Sequence, residues 1–333
     1  FTIGTITADE CLATDIVGVT VGGDFTLCLN GGLTISNAMT VGGTLRIDAN
    51  GTVTQTADGV ITVDVFGIRT TTGDISLHAA NDVNTMAAQN TTSGGQILFR
   101  DIDDLVIGEV SANSCFIATT GVITNDGTID IHVDSQLLDV TRDVTAGDGA
   151  ITLSAGANSD IVVRTGIAIS NLTKDLTLDA GRDITLEDAV AVTSQGGSVL
   201  LESGRDTLLG DDVELSTTSA GTLTLHTGTI TAGGSLTAGD RVVLSTGSGD
   251  QFIDSTGDAS FGNNLEATTQ SGNVDWQIDG LLDVGNTASI LSNGGNVTVT
   301  TGNNADIGTQ LVVNTAGGDL TVDIDGNLNV GTN

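Results

Sequence analysis

The chain has 333 residues, of which 46 are Gly and none is Pro or Tyr; 38% are hydrophobic, 15% charged and 2% aromatic. This composition excludes a charge-dense disordered chain, and no apolar run approaches the roughly 18 residues of a membrane-spanning helix. The formal net charge of −33 would repel phosphate backbones and anionic bilayers, so we expect neither a nucleic-acid partner nor membrane insertion.

A repeated unit runs along the chain, in which Gly and one further residue precede alternating apolar positions. Several successive copies are evenly spaced, such as those that begin at 272, 295 and 318. Alternation with a period of two predicts a strand with one buried face, and a second short strand is predicted after the following turn. The clearest copies, in chain order, are GDFTLCL at 23, GTLRIDA at 43, GDISLHA at 73, GQILFRD at 95, GTIDIHV at 127, GAITLSA at 149, KDLTLDA at 174, GSVLLES at 197, GTLTLHT at 221, GNVDWQI at 272, GNVTVTT at 295 and GDLTVDI at 318.

The repeat predicts an all-β fold, a right-handed parallel β-solenoid (β-helix) with coils of about 22–24 residues. A single unit cannot bury its apolar stripe, but units stacked about 4.8 Å apart can. We expect about 14 coils in one continuous domain, 1–333, because the breaks of a β-sandwich array are missing. The segments 101–126 and 246–270 depart from the repeat.

The ends and the cysteines give weaker signals. The chain starts at Phe1 without an initiator Met and stops within a strand-like pattern, which we interpret as a portion of a longer polypeptide. Cys11 and Cys28 could pair on neighbouring coils, whereas Cys115 lies in an apolar setting. The alternative is three small buried thiols, so the cysteines do not fix the redox compartment.

The repeat pattern G-x-[LIV]-x-[LIV]-x-[AS]-x-x-[DN]-[ILV]-x-[LV] resembles the repeats of the filamentous haemagglutinin family. These are large secreted bacterial adhesins that are exported by two-partner secretion. The nearest stretches here are 149–163, 174–186 and 197–209. The resemblance implies a secreted or surface-exposed shaft, extracellular or on the bacterial cell surface, which attaches to a surface glycan or protein receptor.

Acidic residues recur at the predicted turns and suggest calcium. Asp183 and Asp206 occupy equivalent places in successive repeats and are preceded by Arg182 and Arg205. Stacked carboxylates repel unless a cation screens them. The sequence therefore leaves two alternatives open, an alternating Arg/Asp surface ladder and a bridging Ca²⁺, which takes carboxylate oxygens in flexible geometry.

Two further acidic pairs look like fragments of calcium loops. Asp101 and Asp103 are predicted on one strand face, and so are Asp323 and Asp325. Neither pair has the spacing of an EF-hand or of a calcium-binding β-roll. Solvated acidic faces are the alternative, and Ca²⁺ is a candidate ligand that the fold does not require.

The sequence predicts no catalytic site. A glycosidase needs two carboxylates about 5–10 Å apart on one face, whereas neighbouring strand residues such as Asp211 and Asp212, or Asp103 and Asp104, face opposite ways. A nucleophilic triad and a CxxC pair are also missing. The three histidines, His78, His132 and His226, are predicted outward on separate coils.

Three functions remain as hypotheses. The first is a non-enzymatic extracellular shaft of an adhesin. The second is a self-assembling structural subunit of a filament, sheath or surface layer, because unpaired strand edges at solenoid ends promote stacking. The third is a carbohydrate-active β-helix.

Overall fold

The computed structural model describes residues 2–3, 5–6, 16–229 and 233–331. These residues form parallel strands stacked in β-solenoid coils, about 13 turns in all, and they contain no helix. The predicted fold class is thus confirmed. The described residues accordingly include no helix that could span a membrane. The chain consists of two compact units, Phe1–Gly149 and Ala150–Asn333, which are described separately. The single continuous domain that the sequence predicts stays a prediction.

The strands of the first unit are short, apart from three that run continuously around corners of their coils. They are β1 (Thr2–Ile3), β2 (Thr5–Ile6), β3 (Ile16–Val17), β4 (Val19–Val21), β5 (Phe25–Leu29), β6 (Leu33–Ile35), β7 (Met39–Ala49), β8 (Val53–Gln55), β9 (Ile61–Thr70), β10 (Ile75–Ser93), β11 (Ile97–Asp101), β12 (Leu105–Ile107), β13 (Glu109–Val110), β14 (Thr119–Thr120), β15 (Val122–Asn125), β16 (Ile129–Val133), β17 (Leu137–Val140) and β18 (Val144–Thr145).

The strands of the second unit recur in sets of three. They are β19 (Ile151–Ala157), β20 (Asp160–Val163), β21 (Ala168–Asn171), β22 (Leu176–Gly181), β23 (Ile184–Leu186), β24 (Ala191–Ser194), β25 (Val199–Ser203), β26 (Thr207–Leu209), β27 (Glu214–Thr217), β28 (Leu223–Thr227), β29 (Leu236–Ala238), β30 (Val243–Thr246), β31 (Gln251–Ser255), β32 (Ala259–Phe261), β33 (Leu265–Thr269), β34 (Val274–Ile278), β35 (Leu282–Val284), β36 (Thr287–Ser292), β37 (Val297–Thr301), β38 (Ala305–Ile307), β39 (Gln310–Asn314), β40 (Leu320–Ile324) and β41 (Leu328–Val330).

Each coil of the second unit has a first, a second and a third strand, and each strand pairs in parallel with its equivalent one coil later. First strand β22 pairs with β25, second strand β23 with β26 and third strand β24 with β27. The register joins Val274 to Val297 and Val297 to Leu320, so successive coils there have equal length. This length falls within the predicted range, which is confirmed for this part of the chain.

The alternating pattern places one side chain in two inside the coils. In β25, Val199 and Leu201 are fully buried, while Leu200 and Glu202 point outward. Burying a Leu or Val side chain contributes about 1.5–3 kcal/mol. Because every coil repeats the alternation in register, the buried residues form continuous columns.

The repeated Gly follows from close contact between coils. A Cβ atom on Gly221 would collide with the backbone carbonyl oxygen of Gly197, one coil earlier. A buried hydroxyl completes this corner, because Thr217 Oγ1 donates to the carbonyl oxygen of Gly221 at 2.7 Å. Thr269 and Gly272 repeat the same bond at 2.6 Å. The Gly therefore marks a position without room for a side chain.

The segment 246–270, which the sequence analysis set apart from the repeat, is regular. It contains β31, β32 and β33, which pair in register with β34, β35 and β36. The repeat is disguised because Gln251 occupies an inward position that other coils give to an apolar residue, and it is 1% exposed there. Its Nε2 donates to the carbonyl oxygens of Leu244 and Thr268.

The coils of the first unit that contain β7, β9 or β10 are short. The register joins Leu33 to Val53 and Ile75 to Ile97. The first interval lies below the predicted range of coil lengths, and the second lies at its lower end. The difference arises because β7, β9 and β10 run through a corner as continuous strand, so these coils need fewer turn residues.

The irregular part of 101–126 is an insertion, residues 108–121, which we call the strap. The coil itself continues from β12 to β15, which pair with β17 and β18. The strap includes the antiparallel pair β13 and β14. Its Ser111 accepts hydrogen bonds from Arg46 at its carbonyl oxygen and hydroxyl, at 3.0 and 3.2 Å.

A disulfide closes the strap onto an early coil. It joins Cys28 to Cys115, whose Cα atoms are 6.3 Å apart. This pairing overturns both alternatives that the sequence left open, a Cys11–Cys28 pair and three small buried thiols; Cys11 itself lies outside the described residues. The sequence did not predict this pair, because the two cysteines are 87 positions apart and come together only through the strap.

The strap packs through a small apolar cluster. Val110 and Phe116 are buried against Ala87. Gly67 makes room for them, because a Cβ atom there would lie 2.7 Å from Phe116 Cζ and 2.8 Å from Val110 Cγ1. The cluster therefore lies on the outer side of strands whose other face lines the coil interior.

We expect Leu178→Asp to destabilise the second unit by about 3–5 kcal/mol, because it places an unpaired charge at a fully buried position. Its neighbour Thr177 points outward, so Thr177→Asp is the matched control and should unfold near the wild-type midpoint. Urea unfolding compares the two variants. Equal midpoints would contradict the inward and outward assignment.

We expect Cys28→Ser combined with Cys115→Ser to lower the thermal midpoint. A cross-link across a loop of 87 residues stabilises by up to about 4–5 kcal/mol in the chain-entropy treatment. Calorimetry with and without reductant measures the loss, and reductant should leave the double variant unchanged. Peptide mapping of the unreduced chain checks the pairing; a linked Cys11–Cys28 peptide would contradict it.

Candidate functional site

The acidic residues of the turns form ladders between coils. Asp160 Oδ1 accepts the backbone N–H of Asp183, and Asp183 Oδ1 accepts that of Asp206, each at 3.2 Å. All three turns of the coil repeat this bond. In the second unit the acceptors are Asp160, Asp183, Asp206, Asp258 and Asn304 after first strands, Asp188, Asp211, Asp240 and Asn263 after second strands, and Asp175, Asp250, Asn273 and Asn296 after third strands. Glu187 bonds in the opposite sense, because it accepts the backbone N–H of Thr165 in the preceding coil.

At two turn carboxylates, backbone N–H and arginine donors favour the ionised form. The backbone N–H of Thr44, followed by the Arg46 side chain, lowers the pKa of Asp24 in the first unit. In the second unit, Arg164 and then the backbone N–H of Thr165 lower the pKa of Glu187. The side chains thus serve as charged acceptors for turn N–H groups that would otherwise lack a partner within the chain.

Asp183 and Asp206 belong to an Arg/Asp ladder. Arg205 Nε donates to Asp183 Oδ1 at 2.8 Å, and its Nη2 contacts the other carboxylate oxygen. Arg205 Nε also lies 3.2 Å from Asp206 Oδ2. Arg182 contacts Asp160 in the same way. The arginine alternative from the sequence is therefore confirmed, and a calcium ion at these two carboxylates would have to compete with guanidinium groups.

Asp101 lies in an environment that the sequence did not predict. Its side chain ends β11 and is fully buried, so the expectation of a solvated face shared with Asp103 is wrong. Asp101 Oδ2 accepts the backbone N–H of Val83 at 3.0 Å, and Oδ1 accepts that of Asp103 at 3.2 Å. Burial raises the pKa of Asp101 to about 8. A carboxyl group that is mostly protonated at neutral pH is a poor calcium ligand.

Asp103 lies in the turn beside Asp101 and is half-buried. Burial raises the pKa of Asp103, and the nearby charges of Asp82 and Asp104 raise it further. The described residues include no group of three or more His, Cys, Asp or Glu side chains arranged to hold a metal ion. Calcium at Asp101 and Asp103 stays a prediction without a built set of ligands.

Asp323 and Asp325 lie at the last described coil, and both are exposed. Asp323 is in register with Thr300, so the coil before it supplies no second carboxylate at this position. Asp325 donates its backbone N–H to the carbonyl oxygen of Thr301 at 3.1 Å. Both carboxylates remain accessible to a cation, and calcium binding here is likewise untested.

A buried polar corner that the sequence does not predict lies next to Asp101. Asn81 is fully buried, and its Oδ1 accepts Gln55 Nε2 at 2.6 Å and the backbone N–H of Ile61 at 3.0 Å. Its Nδ2 donates to the carbonyl oxygen of Arg100 at 2.9 Å. Asn81 is in register with Asp101. The signal in the sequence is weak, a polar residue where the period of two expects an apolar one.

The carboxylates weighed as a catalytic pair, Asp211 and Asp212, are engaged with the next coil. Asp211 Oδ1 accepts the backbone N–H of Asp240 at 2.8 Å. Asp212 forms a two-pronged ion pair with Arg241, with both contacts at 2.5 Å, which lowers the pKa of Asp212. Asp212 and Arg241 both have positive φ, so both lie in tight turns. Their ion pair therefore joins the turns of two successive coils.

The three histidines lie on strands β10, β16 and β28, at outward positions. His132 Nε2 lies 3.3 Å from Asp134 Oδ1. His226 is in register with Glu202 on one side and Asp254 on the other. The predicted outward orientation is confirmed.

Comparison of the chain with protein-family models, with curated proteins and with solved structures finds no significant match. The class that the structure defines is therefore the parallel β-solenoid repeat protein. The likeness to haemagglutinin-type repeats rests on the repeat residues alone.

We expect Asp101 to make stability depend on pH. Its pKa is about 8 in the folded chain against 3.8 as the ordinary value, so between these pH values the folded state holds a proton that the unfolded state releases. Raising the pH from 5 to 8 should lower the free energy of unfolding through this group by up to about 1.4 kcal/mol per pH unit.

Urea unfolding between pH 5 and 8.5 measures this slope in the wild type, in Asp101→Asn and in the exposed control Asp104→Asn. The slope should become shallower in Asp101→Asn and persist in Asp104→Asn. A slope that is equally steep in all three proteins would show that Asp101 does not titrate in this range.

Proposed function

We propose that the chain is a non-enzymatic, extracellular β-solenoid shaft of a bacterial surface or secreted adhesin and mediates attachment. The observation that carries the proposal is the set of turn ladders, in which each coil accepts the backbone N–H groups of the next. Asp183, for example, both donates to Asp160 and accepts from Asp206. Each coil is thus stabilised by its neighbours, and the outward side chains, which the fold does not need, can vary for binding.

The disulfide supports an extracellular location. Disulfides persist in oxidising compartments and are rare in the cytosol. The bond between Cys28 and Cys115 closes the strap over the first unit. The bacterial and adhesin parts of the proposal come from the resemblance of the repeat.

The negative charge of the chain limits the classes of partner that it can bind. With a formal net charge of −33, the surface repels polyanions and favours neutral glycans, protein receptors and cations. Calcium belongs to this proposal as an accessory ion. The exposed Asp323 and Asp325 are its most accessible candidates, whereas Asp183 and Asp206 are engaged by arginines.

A self-assembling structural subunit is the second candidate, and the way the coils stack favours it. Each coil joins the next through parallel strand edges, as β37 pairs with β40 and β38 with β41. An edge of this kind can also add a strand from another molecule.

We expect beads coated with the purified chain to attach to epithelial monolayers more strongly than beads coated with an unrelated protein of similar acidity. The assay runs in Ca²⁺ and in EGTA, because bound calcium should strengthen attachment. Equal attachment of both bead types would contradict the adhesin proposal.

Negative-stain electron microscopy of the same preparation separates the candidates. Isolated particles favour the shaft, whereas long filaments favour the self-assembling subunit. Release of reducing ends from a panel of polysaccharides would contradict the non-enzymatic assignment and support a carbohydrate-active β-helix.

A further inference from the structure

Three adjacent first strands of the second unit present an unusual outward surface. In β28, β31 and β34 the register places Thr224 beside Phe252 and Phe252 beside Asp275. The second outward column carries His226, Asp254 and Gln277 in register. Strands lie about 4.8 Å apart, and alternate residues on one strand lie about 7 Å apart. These six side chains, which we call the Phe252 patch, cover an area suited to one or two sugar rings.

The Phe252 patch is concave. Its side chains, with Ile253 beneath them, line a depression of about 280 Å³. This volume is close to the lower end of the range for small-molecule pockets, which fits a ligand of ring size.

Phe252 supplies an aromatic surface on the outside of the coils. It is half-buried and points outward between the inward residues Gln251 and Ile253. Of the other described aromatic residues, Phe25 is also half-buried, and five pack within the coils or under the strap. The fully or nearly fully buried ones are Phe66, Phe99, Phe116, Phe261 and Trp276.

The polar groups of the patch retain hydrogen-bonding capacity. Asp275 Oδ1 is shielded from solvent and has no hydrogen-bond partner, while its Oδ2 has only a long contact of 3.5 Å with Gln277 Nε2. Within the described residues, no hydrogen bond reaches the side chain of Asp254 or His226. Turn carboxylates such as Asp183, in contrast, are engaged by the next coil. An unpartnered, shielded carboxylate oxygen favours a ligand that brings donors.

We propose that the Phe252 patch binds a neutral saccharide. The ring of Phe252 offers an apolar face to the C–H side of a sugar. Asp254 and Asp275 accept hydrogen bonds from hydroxyl groups, and Gln277 both donates and accepts. The net charge of −33 disfavours sulfated or uronic acid ligands.

A strand-like peptide fits the patch less well. Recognition of an extended peptide by strand addition needs an open sheet edge. The middle strand β31 pairs with β28 on one side and β34 on the other, so its backbone groups are already used. Binding here has to use side chains alone, which suits a compact ligand rich in hydroxyl groups.

A second depression, in the first unit, lacks these properties. It is lined by Gln55, His78 and Arg100. Gln55 is held in the buried corner by Asn81, and Arg100 forms a two-pronged ion pair with Asp134. Gln55 and Arg100 therefore already have partners within the chain.

Saccharide binding would give the adhesin its glycan contact and, in that role, rests on the proposed attachment function. The site itself is tested separately by saturation-transfer NMR of the full chain. The probes are methyl glucoside, methyl galactoside, methyl mannoside and N-acetylglucosamine, with glucuronate and a Ser/Thr-rich hexapeptide as comparators. We expect saturation transfer from the protein to at least one neutral saccharide and to none of the comparators.

We expect Phe252→Ala and Asp254→Asn each to weaken this binding about tenfold or more, as truncation of a central contact residue does. Leu200→Ala is the matched control, because Leu200 is in register with Thr224 in the same outward column but does not line the depression. Emission of the single, fully buried Trp276 verifies that each variant is folded.

Absence of transfer to every neutral saccharide would overturn the proposal. So would transfer that both patch variants leave unchanged, or transfer to glucuronate or the hexapeptide alone. Loss of sugar binding in the variants with normal bead attachment supports the site but assigns attachment to another surface. Sugar binding without any bead attachment would sustain the site and contradict the adhesin function.

Discussion

The backbone N–H groups at the turns have to find acceptors in the preceding coil, and this requirement organises the chain. Within a strand the parallel ladder supplies the partner, but at a corner the ladder is interrupted. An Asp or Asn side chain fills the gap, as Asn273 does for Asn296 at 2.9 Å. The abundance of Asp and Asn is thus primarily structural.

The same requirement explains the acidity. Asn can replace Asp as an acceptor, and several ladder positions near residue 300 use it, such as Asn304. Where Asp is kept, Arg from a neighbouring coil often balances it, as Arg241 balances Asp212. With only 9 Lys and Arg against 42 Asp and Glu, most carboxylates have no such partner. A solenoid of this kind therefore gains turn stability at the cost of self-repulsion at low ionic strength.

Much of the fold could be predicted from the sequence, because inward and outward positions alternate and the Gly that opens a repeat, such as Gly221, marks a corner without room for a side chain. The coil around Gln251 was missed, since a buried amide that bonds to backbone carbonyls looks like a break in the pattern. The arginine alternative at Asp183 was open to prediction because the regular spacing of the repeat there fixes which side chains stack. The burial of Asp101 was missed although it is in phase with the inward Ile97 and Phe99 of β11, because a carboxylate is seldom fully buried.

The Phe252 patch was missed for a related reason. Its six residues come from three successive coils of unequal length, and only the register aligns them. Phe252 alone looks like one more core residue until Gln251 is known to point inward. A binding site on a solenoid surface combines residues from several coils, so it can be recognised only once the pairing between their strands is known.

The strap has a mechanical consequence. A tensile force that enters the chain before Cys28 and leaves after Cys115 is carried by the covalent bond between the two sulfur atoms. The coils between these residues, including the buried corner around Asn81, are then bypassed and cannot be drawn out. Under load, extension begins outside this loop, and its length becomes available only after the bond is reduced.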